Sequence, residues 1–399
     1  MNAALIRGQP AALAAAETML RGGFPHAVLL VGPASIGKTT LALDIAAALL
    51  CVDPDPAARP CRSCRGCRLV AAGRHPDLHR LGPGGAGDQV KLEATQQDPR
   101  PGVRDLVADL SLSSVEGGAR VALVERAQRM NEDAQNALLK TLEEPAAGVH
   151  LILCADDEDR LLPTIRSRCA RIRLGTVAPR AIEAWLAERG MADPPTAARL
   201  ARLAEGRPGL ALAYAESPAA IAARSEVDRT LLDLLAARVA ERLAARKQLL
   251  GGAVALTAAL SGGTGAAEAP VAVAATPTGD DDGERPGGAS PDVPEAPDAE
   301  ESRPTKTPAA ERRRAALALI EVWRELTVDL VRATGGDVRR VHDAALLEEI
   351  SSAAGRLSAS PTVSFLARLD RAARVVELSA SPELAIDALL VAWPHLKAA

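Results

Sequence analysis

Aromatic side chains are scarce in this sequence, with three Trp, one Tyr and two Phe among 399 residues. Alanine, leucine, arginine and glutamate are plentiful instead, a composition that favours helices. No apolar run reaches the roughly 18 residues that a bilayer crossing needs, which excludes a membrane-spanning helix. The N-terminus has neither the apolar core nor the cleavage site of a secretory signal, so a cytoplasmic location is expected. The net charge of −4 is too small to mark the chain as a nucleic-acid binder or to exclude it as one. That charge is unevenly spread. Residues 262–310 carry ten acidic and three basic side chains, which leaves the remainder mildly basic.

Against these absences stands one complete motif. Gly32-Pro33-Ala34-Ser35-Ile36-Gly37-Lys38-Thr39 is a P-loop. Its backbone N–H groups suit phosphate oxygens, and the following helix, Lys38–Leu50, adds its positive dipole end. The apolar run Ala27–Val31 reads as the strand that enters the loop. Gly32, Gly37, Lys38, Thr39 and Thr40 are the expected nucleotide contacts, with Lys38 on the β- and γ-phosphates and the Thr39 hydroxyl on Mg²⁺. The other reading of the loop is a vestige that keeps its shape without ATP.

A second absence matters more. A hydrolysing P-loop protein ends a neighbouring apolar strand in Asp-Glu, but Val121–Val124 ends in Glu125-Arg126. Glu125 could still reach Mg²⁺. Arg126 has no acceptor and cannot activate water. The nearest acidic pair elsewhere is Asp156-Asp157, after the strand Val149–Cys154. The expectation is a nucleotide fold that does not hydrolyse ATP.

Four of the six cysteines fall in one window, Cys51, Cys61, Cys64 and Cys67. In a reducing compartment such clustering favours a metal over disulfides. Four thiolates close a tetrahedral Zn²⁺ site, so its role would be structural. Arg59, Arg62, Arg65 and Arg68 surround the cluster. They either lower thiol pKa values and meet phosphates, or form a plain solvated basic knuckle. His75 and His79 lie nearby as competing ligands, or as a loop end and a strand residue. Cys154 reads as a small core residue.

Strands and helices alternate through residues 1–175, with strands at Ala27–Val31, Asp77–Leu81, Val121–Val124, Val149–Cys154 and Ala170–Leu174. Helices at Lys38–Leu50, Val103–Leu112 and Glu132–Glu143 lie between them. This predicts an α/β domain with a parallel sheet covered on both faces and a cysteine module at 51–67. Residues 176–216 read as a small helical lid. Residues 217–261 and 311–399 read as one all-α domain, interrupted by a disordered acidic Pro/Gly-rich insertion over 262–310. Within that domain Ala219 to about Leu260, Ala315–Thr334, Ala344–Leu357 and Pro382–Trp393 are the helical stretches. Gly82 to Gly87 reads as a mobile loop.

Four segments carry a family resemblance. Asn136-Ala137-Leu138-Leu139-Lys140-Thr141-Leu142-Glu143-Glu144-Pro145 is very similar to the segment that follows Walker B in bacterial AAA+ clamp-loader subunits. Ser167-Arg168-Cys169 resembles their Ser-Arg-Cys motif, and the cysteine cluster resembles their zinc module. Gly8-Gln9 looks like the start of their AAA+ domain. The likeness covers about residues 5–215, while the C-terminal helices match in pattern only. Clamp-loader subunits that hydrolyse ATP keep Asp-Glu, a neutral polar residue after the next strand, and an arginine in the lid. Here those places read Glu125-Arg126, Ala155-Asp156 and about Gly209, which is similar to the non-hydrolysing delta-prime class of DNA polymerase III. An intact P-loop departs from some members of that class and leaves ATP/Mg²⁺ occupancy open.

The resemblance implies a place in a hetero-oligomeric clamp loader for DNA replication. The implied partners are the catalytic gamma/tau subunits and delta, together with the sliding clamp and primed DNA within the complex. It implies a C-terminal collar, and it implies that Arg168 acts as an arginine finger on a neighbour's ATP. Arg166 is a weaker candidate for that role. DNA contact would be phosphate-directed, since no base-reading motif is visible. Two other readings remain: a hydrolysing gamma/tau-like ATPase, and a zinc-stabilised nucleic-acid-binding module.

Overall fold

The computed structural model describes residues 4–84, 89–95, 99–116, 118–263, 308–378 and 380–397. The chain opens with α1 (Pro10–Gly22) and enters the sheet at β1 (Ala27–Val31). It continues through α2 (Lys38–Leu49), α3 (Arg65–Ala71), β2 (Leu78–Leu81), α4 (Val103–Leu110) and β3 (Arg120–Val124). Then come α5 (Glu132–Glu143), β4 (Val149–Ala155), α6 (Pro163–Arg166) and β5 (Ala170–Arg173). All strand pairs are parallel, in the order β2-β3-β4-β1-β5.

The strands are apolar almost without interruption because helices cover both faces. Alternation sorts the side chains. Val28, Leu30, Val121, Leu123 and Ile152 point to the face packed by α1 and α2, against Ala16, Leu41 and Ile45. Leu29, Ala122, Val124, Leu151 and Leu153 point to the other face and meet Leu106 and Leu110 of α4 and Leu138 and Leu142 of α5. Helix α5 starts where the Asn131 side chain accepts the Ala134 N–H at 2.9 Å, with Glu132 and Asp133 in its first turn. It stops two residues before Pro145.

Beyond β5 the described residues are helical. They comprise α7 (Pro179–Glu188), α8 (Pro194–Leu203), α9 (Pro208–Glu216), α10 (Pro218–Asp233), α11 (Val239–Ala244) and α12 (Arg246–Gly263). The chain resumes with α13 (Ala309–Thr334), α14 (Leu347–Ala354), α15 (Ala359–Glu377) and α16 (Pro382–Ala392). The helical stretch expected from Ala219 to about Leu260 is built of three helices, and α15 is an addition to the expected elements. Residues 264–307 of the expected insertion, and residues 85–87 of the expected mobile loop, lie outside the described residues. Helix α12 extends to Gly263 and α13 begins at Ala309, each slightly inside the insertion's expected bounds.

Helices α7–α9 share one core with the C-terminal helices: Leu186, Leu200 and Tyr214 belong to the same buried cluster as Leu326 and Leu390. The scarce aromatics are concentrated there. Trp323, Phe365 and Trp393 stack mutually with ring centroids 4.8–5.5 Å apart. Buried Arg242 donates to the carbonyls of Trp393 and Pro394, which ties α11 to the end of α16. No helix among the described residues is long and apolar enough to cross a membrane.

Candidate functional site

Register places the P-loop. Val31 pairs with Ala155, and the Gly32 N–H donates to the Ala155 carbonyl at 3.2 Å, so the loop leaves β1 beside the end of β4. The crevice therefore opens at the carboxyl ends of the strands, the usual ligand position in a parallel sheet. Gly37 caps α2 with φ of 105°, a left-handed conformation that glycine adopts without strain. Lys38, at the first position of α2, is buried, and Thr39 and Thr40 follow it partly buried.

The Lys38 ammonium is fully engaged within the chain. Its Nζ donates to the Gly32 carbonyl at 2.7 Å and the Pro33 carbonyl at 2.6 Å, and it lies 2.6 Å from Asp156 Oδ1. Three N–H protons meet three acceptors. Asp156 is in turn held by Gln128, whose Nε2 donates to Asp156 Oδ2 at 2.8 Å and whose Oε1 accepts the Asp156 N–H at 3.2 Å. Gln128 sits in the tight turn Ala127–Arg129 that follows Arg126, which itself has φ of 50°.

Glu125, expected near Mg²⁺, instead accepts from the Arg80 guanidinium on β2 at 2.6 and 3.0 Å. Strand order explains both pairings. Because β4 lies between β1 and β3, the residue beside the P-loop lysine follows β4, while the end of β3 faces β2. Sequence reasoning noted Asp156 as part of a displaced acidic pair and as the departure from a neutral polar residue after the strand, and not as a partner of Lys38. An acid directly after an apolar strand was the available signal, but strand order is not written in the sequence.

The lid reaches the same loop. The Gly209 N–H donates to the Ser35 carbonyl at 2.9 Å. A Cβ on Gly209 would stand 2.9 Å from that oxygen, so no side chain fits there. The nearby Arg207 turns away, toward Glu325 at 2.6 Å and Glu321 at 3.3 Å on α13.

The four cysteines converge. The Sγ atoms of Cys51, Cys61, Cys64 and Cys67 all lie within 4.8 Å of one another, with Cys51 and Cys64 at 3.8 Å. Thiolates about 2.3 Å from one zinc would stand roughly 3.8 Å apart at tetrahedral corners, so the donor set and spacing fit that ion. Backbone N–H groups of Cys64 and Cys67 donate to Cys61 and Cys64 sulfur at 3.4 Å, and Ser63 Oγ donates to Cys61 at 3.6 Å. The Ser63 hydroxyl and backbone N–H groups bring the Cys61 thiol down to about 6, while burial pushes Cys67 up to about 12.

The surrounding arginines are largely committed. Arg62 pairs with buried Asp44 of α2, Arg65 pairs with Glu116, and Arg59 donates to the Asp53 carbonyl at 2.7 Å. Asp44 also accepts the N–H groups of Leu5 and Ile6, at 2.8 and 3.2 Å, so it binds the cysteine segment and the N-terminal segment to the P-loop helix. His75 and His79 stay outside the four-sulfur group. Burial pushes both imidazoles below their usual value. Buried Cys154 is pushed upward for the same reason.

Arg168 lies just after α6 with its side chain partly exposed. Its guanidinium donates to the Thr164 carbonyl at 3.0 Å and pairs with Glu143 at 2.7 Å. Glu143 belongs to the Asn136–Pro145 segment, so two stretches far apart in the chain meet at one ion pair. Arg166 is committed to Asp159 at 2.6 Å.

Residues 8–178 match the family described as "DNA polymerase III, delta subunit". The chain is 42% identical over 190 residues to DNA polymerase III subunit delta' of Pseudomonas aeruginosa, covering 47% of this chain and 55% of that protein. It is 34% identical over 188 residues to subunit delta' of Escherichia coli, covering 47% and 54%. The E. coli tau subunit is 34% identical over 198 residues, covering 48% and 29%. The chain thus spans about half the length of the delta' relatives.

Proposed function

We propose, from a P-loop region similar to the delta' subunits of bacterial DNA polymerase III, that this chain is a non-hydrolysing clamp-loader subunit. In this reading its Arg168 completes the ATP site of a neighbouring gamma/tau-type subunit.

The observation that carries the reading is how the carboxylates beside the P-loop are spent. Glu125 and Asp156, presented by the ends of β3 and β4, are each held by a cation, Arg80 and Lys38. Arg126 follows Glu125 and has no lone pair with which to accept a proton. Among the described residues, neither of these two carboxylates is free to act as a general base for water.

Arg168, by contrast, is displayed. Glu143 orients it while the chain is alone, and on assembly the guanidinium exchanges that carboxylate for the neighbour's γ-phosphate. A planar fork of donors stabilises the charge that develops there, which a lysine cannot match. The four cysteines would hold a structural Zn²⁺ that stiffens the segment behind α2. The helices from residue 217 onward would contribute to a collar with the gamma/tau and delta subunits. The assembled ring would open the sliding clamp and seat it on primed DNA, with salt-sensitive contacts to phosphates. Such a complex works in the cytoplasm.

The test uses the full chain reconstituted with gamma/tau-type and delta subunits, with DNA-stimulated ATP turnover as the readout. Arg168→Ala and Arg168→Lys should both lower turnover at the neighbouring site on the order of 10³-fold, with assembly intact. Unchanged turnover in a stoichiometric complex would overturn the finger role.

A second reading, an active gamma/tau-like ATPase, has the identity to tau in its favour. It requires Glu125 to leave Arg80. ATP turnover by the isolated chain, abolished by Lys38→Ala, would establish it.

A further inference from the structure

The P-loop lysine already has a ligand. We infer that Asp156 is an internal competitor for Lys38, which sets the pocket against nucleoside triphosphates and in favour of diphosphates. The inference rests on reading residues 32–39 as a nucleotide pocket, and it is independent of Arg168 and of ring assembly.

Donor counting comes first. An ammonium offers three N–H bonds, and the carbonyls of Gly32 and Pro33 and the carboxylate of Asp156 take all three. A phosphate that enters must displace one acceptor. The two carbonyls belong to the loop itself and cannot leave without unfolding it. Asp156 is the replaceable ligand, and its side chain is 31% exposed against 7% for Lys38.

Replacement meets resistance from two directions. Gln128 grips Asp156 with a reciprocal pair, donating to the carboxylate and accepting the backbone N–H, so the side chain is built into position. A terminal phosphate delivered to Lys38 would also share that space with a second anion. Like charges a few ångströms apart in a partly buried site repel, and one must be expelled or protonated. A P-loop lysine serves the β- and γ-phosphates, so the penalty grows with the terminal phosphate. The lid adds to this, since Gly209 stands directly on Ser35 of the loop.

Asparagine is the informative replacement. Asp156→Asn keeps the shape, retains hydrogen bonding to Gln128 and removes the charge. Binding of fluorescent ATP and ADP analogues to the full chain, with Mg²⁺ and without, should show the wild type favouring ADP. Asp156→Asn should then bind ATP about tenfold or more tightly than wild type, with a smaller gain for ADP. Gln128→Ala, which frees the carboxylate without deleting it, should give an intermediate gain. Lys38→Ala should abolish binding by every form.

An ATP affinity that is unchanged in Asp156→Asn would overturn the inference. A loss confined to Mg²⁺ would also overturn it, by making Asp156 a metal ligand. Absence of binding by every variant would overturn it as well, and would leave the reading based on Arg168 standing.

Discussion

The sheet half and the helical half of this chain hold themselves together differently. In the first, strands such as Val121–Val124 are buried on both faces and the helices pack by simple alternation. In the second, a buried charge network runs through the core. Glu325 accepts from Arg207 at 2.6 Å and from Arg224 at 2.5 Å, with Tyr214, Asp228 and Asp343 close around. Apolar burial is non-directional and roughly proportional to area. A buried ion pair adds little net stability, yet removing one partner is costly. The apolar positions of the sheet half should therefore tolerate conservative change, while the charged positions of the helical core should fail singly.

The sharpest break of that contrast is Glu325→Ala. It removes the buried carboxylate shared by Arg224 and the partly buried Arg207 and should cost about 3–5 kcal/mol, read from the denaturant midpoint of the full chain. An effect no larger than a surface substitution would show that the network is not what specifies the helical core.

Asp228 tests the same network with the opposite sign. Burial, reinforced by the Glu325 carboxylate, raises it to about 7. Its unfolded value is lower, so the folded chain binds the extra proton and stability falls as pH rises between the usual carboxylate range and about 7. Asp228→Asn should restore on the order of 4 kcal/mol at pH 8 and about a quarter of that at pH 4.5. An equal gain at both pH values would exclude a charge effect.

The smallest expected effect lies in the sheet half. Ser63→Ala removes the hydroxyl that donates to Cys61 sulfur and should weaken zinc binding about tenfold, measured by chelator competition. An unchanged zinc affinity would mean that backbone N–H groups alone orient that sulfur.

The two halves also differed in legibility. Strand β1 matches its expected bounds, and β2 to β5 differ from theirs by single residues, because apolar runs and the P-loop signal are local. The pairing of Lys38 with Asp156 was not legible, since it depends on β4 lying between β1 and β3. In the helical half, α15 escaped because Ser360, Pro361, Thr362 and Val363 suggest a break. Proline is nonetheless tolerated in a helix's first turn, and Phe365, Leu369 and Val376 form the buried stripe behind it. Charged residues such as Arg224 and Glu325 read as surface on composition. Only their mutual partnership, across about a hundred residues of chain, permits their burial.

The turn that enters α9 has a mechanical meaning. At one end Gly209 is fastened to the P-loop backbone, and two residues away Arg207 is anchored on α13. So short a tether stores almost no slack. A shift of α13 is therefore expected to reach Ser35 through this connection, and a shift of the phosphate loop to reach Glu325. The phosphate loop and α13 are thus braced against each other through one short turn.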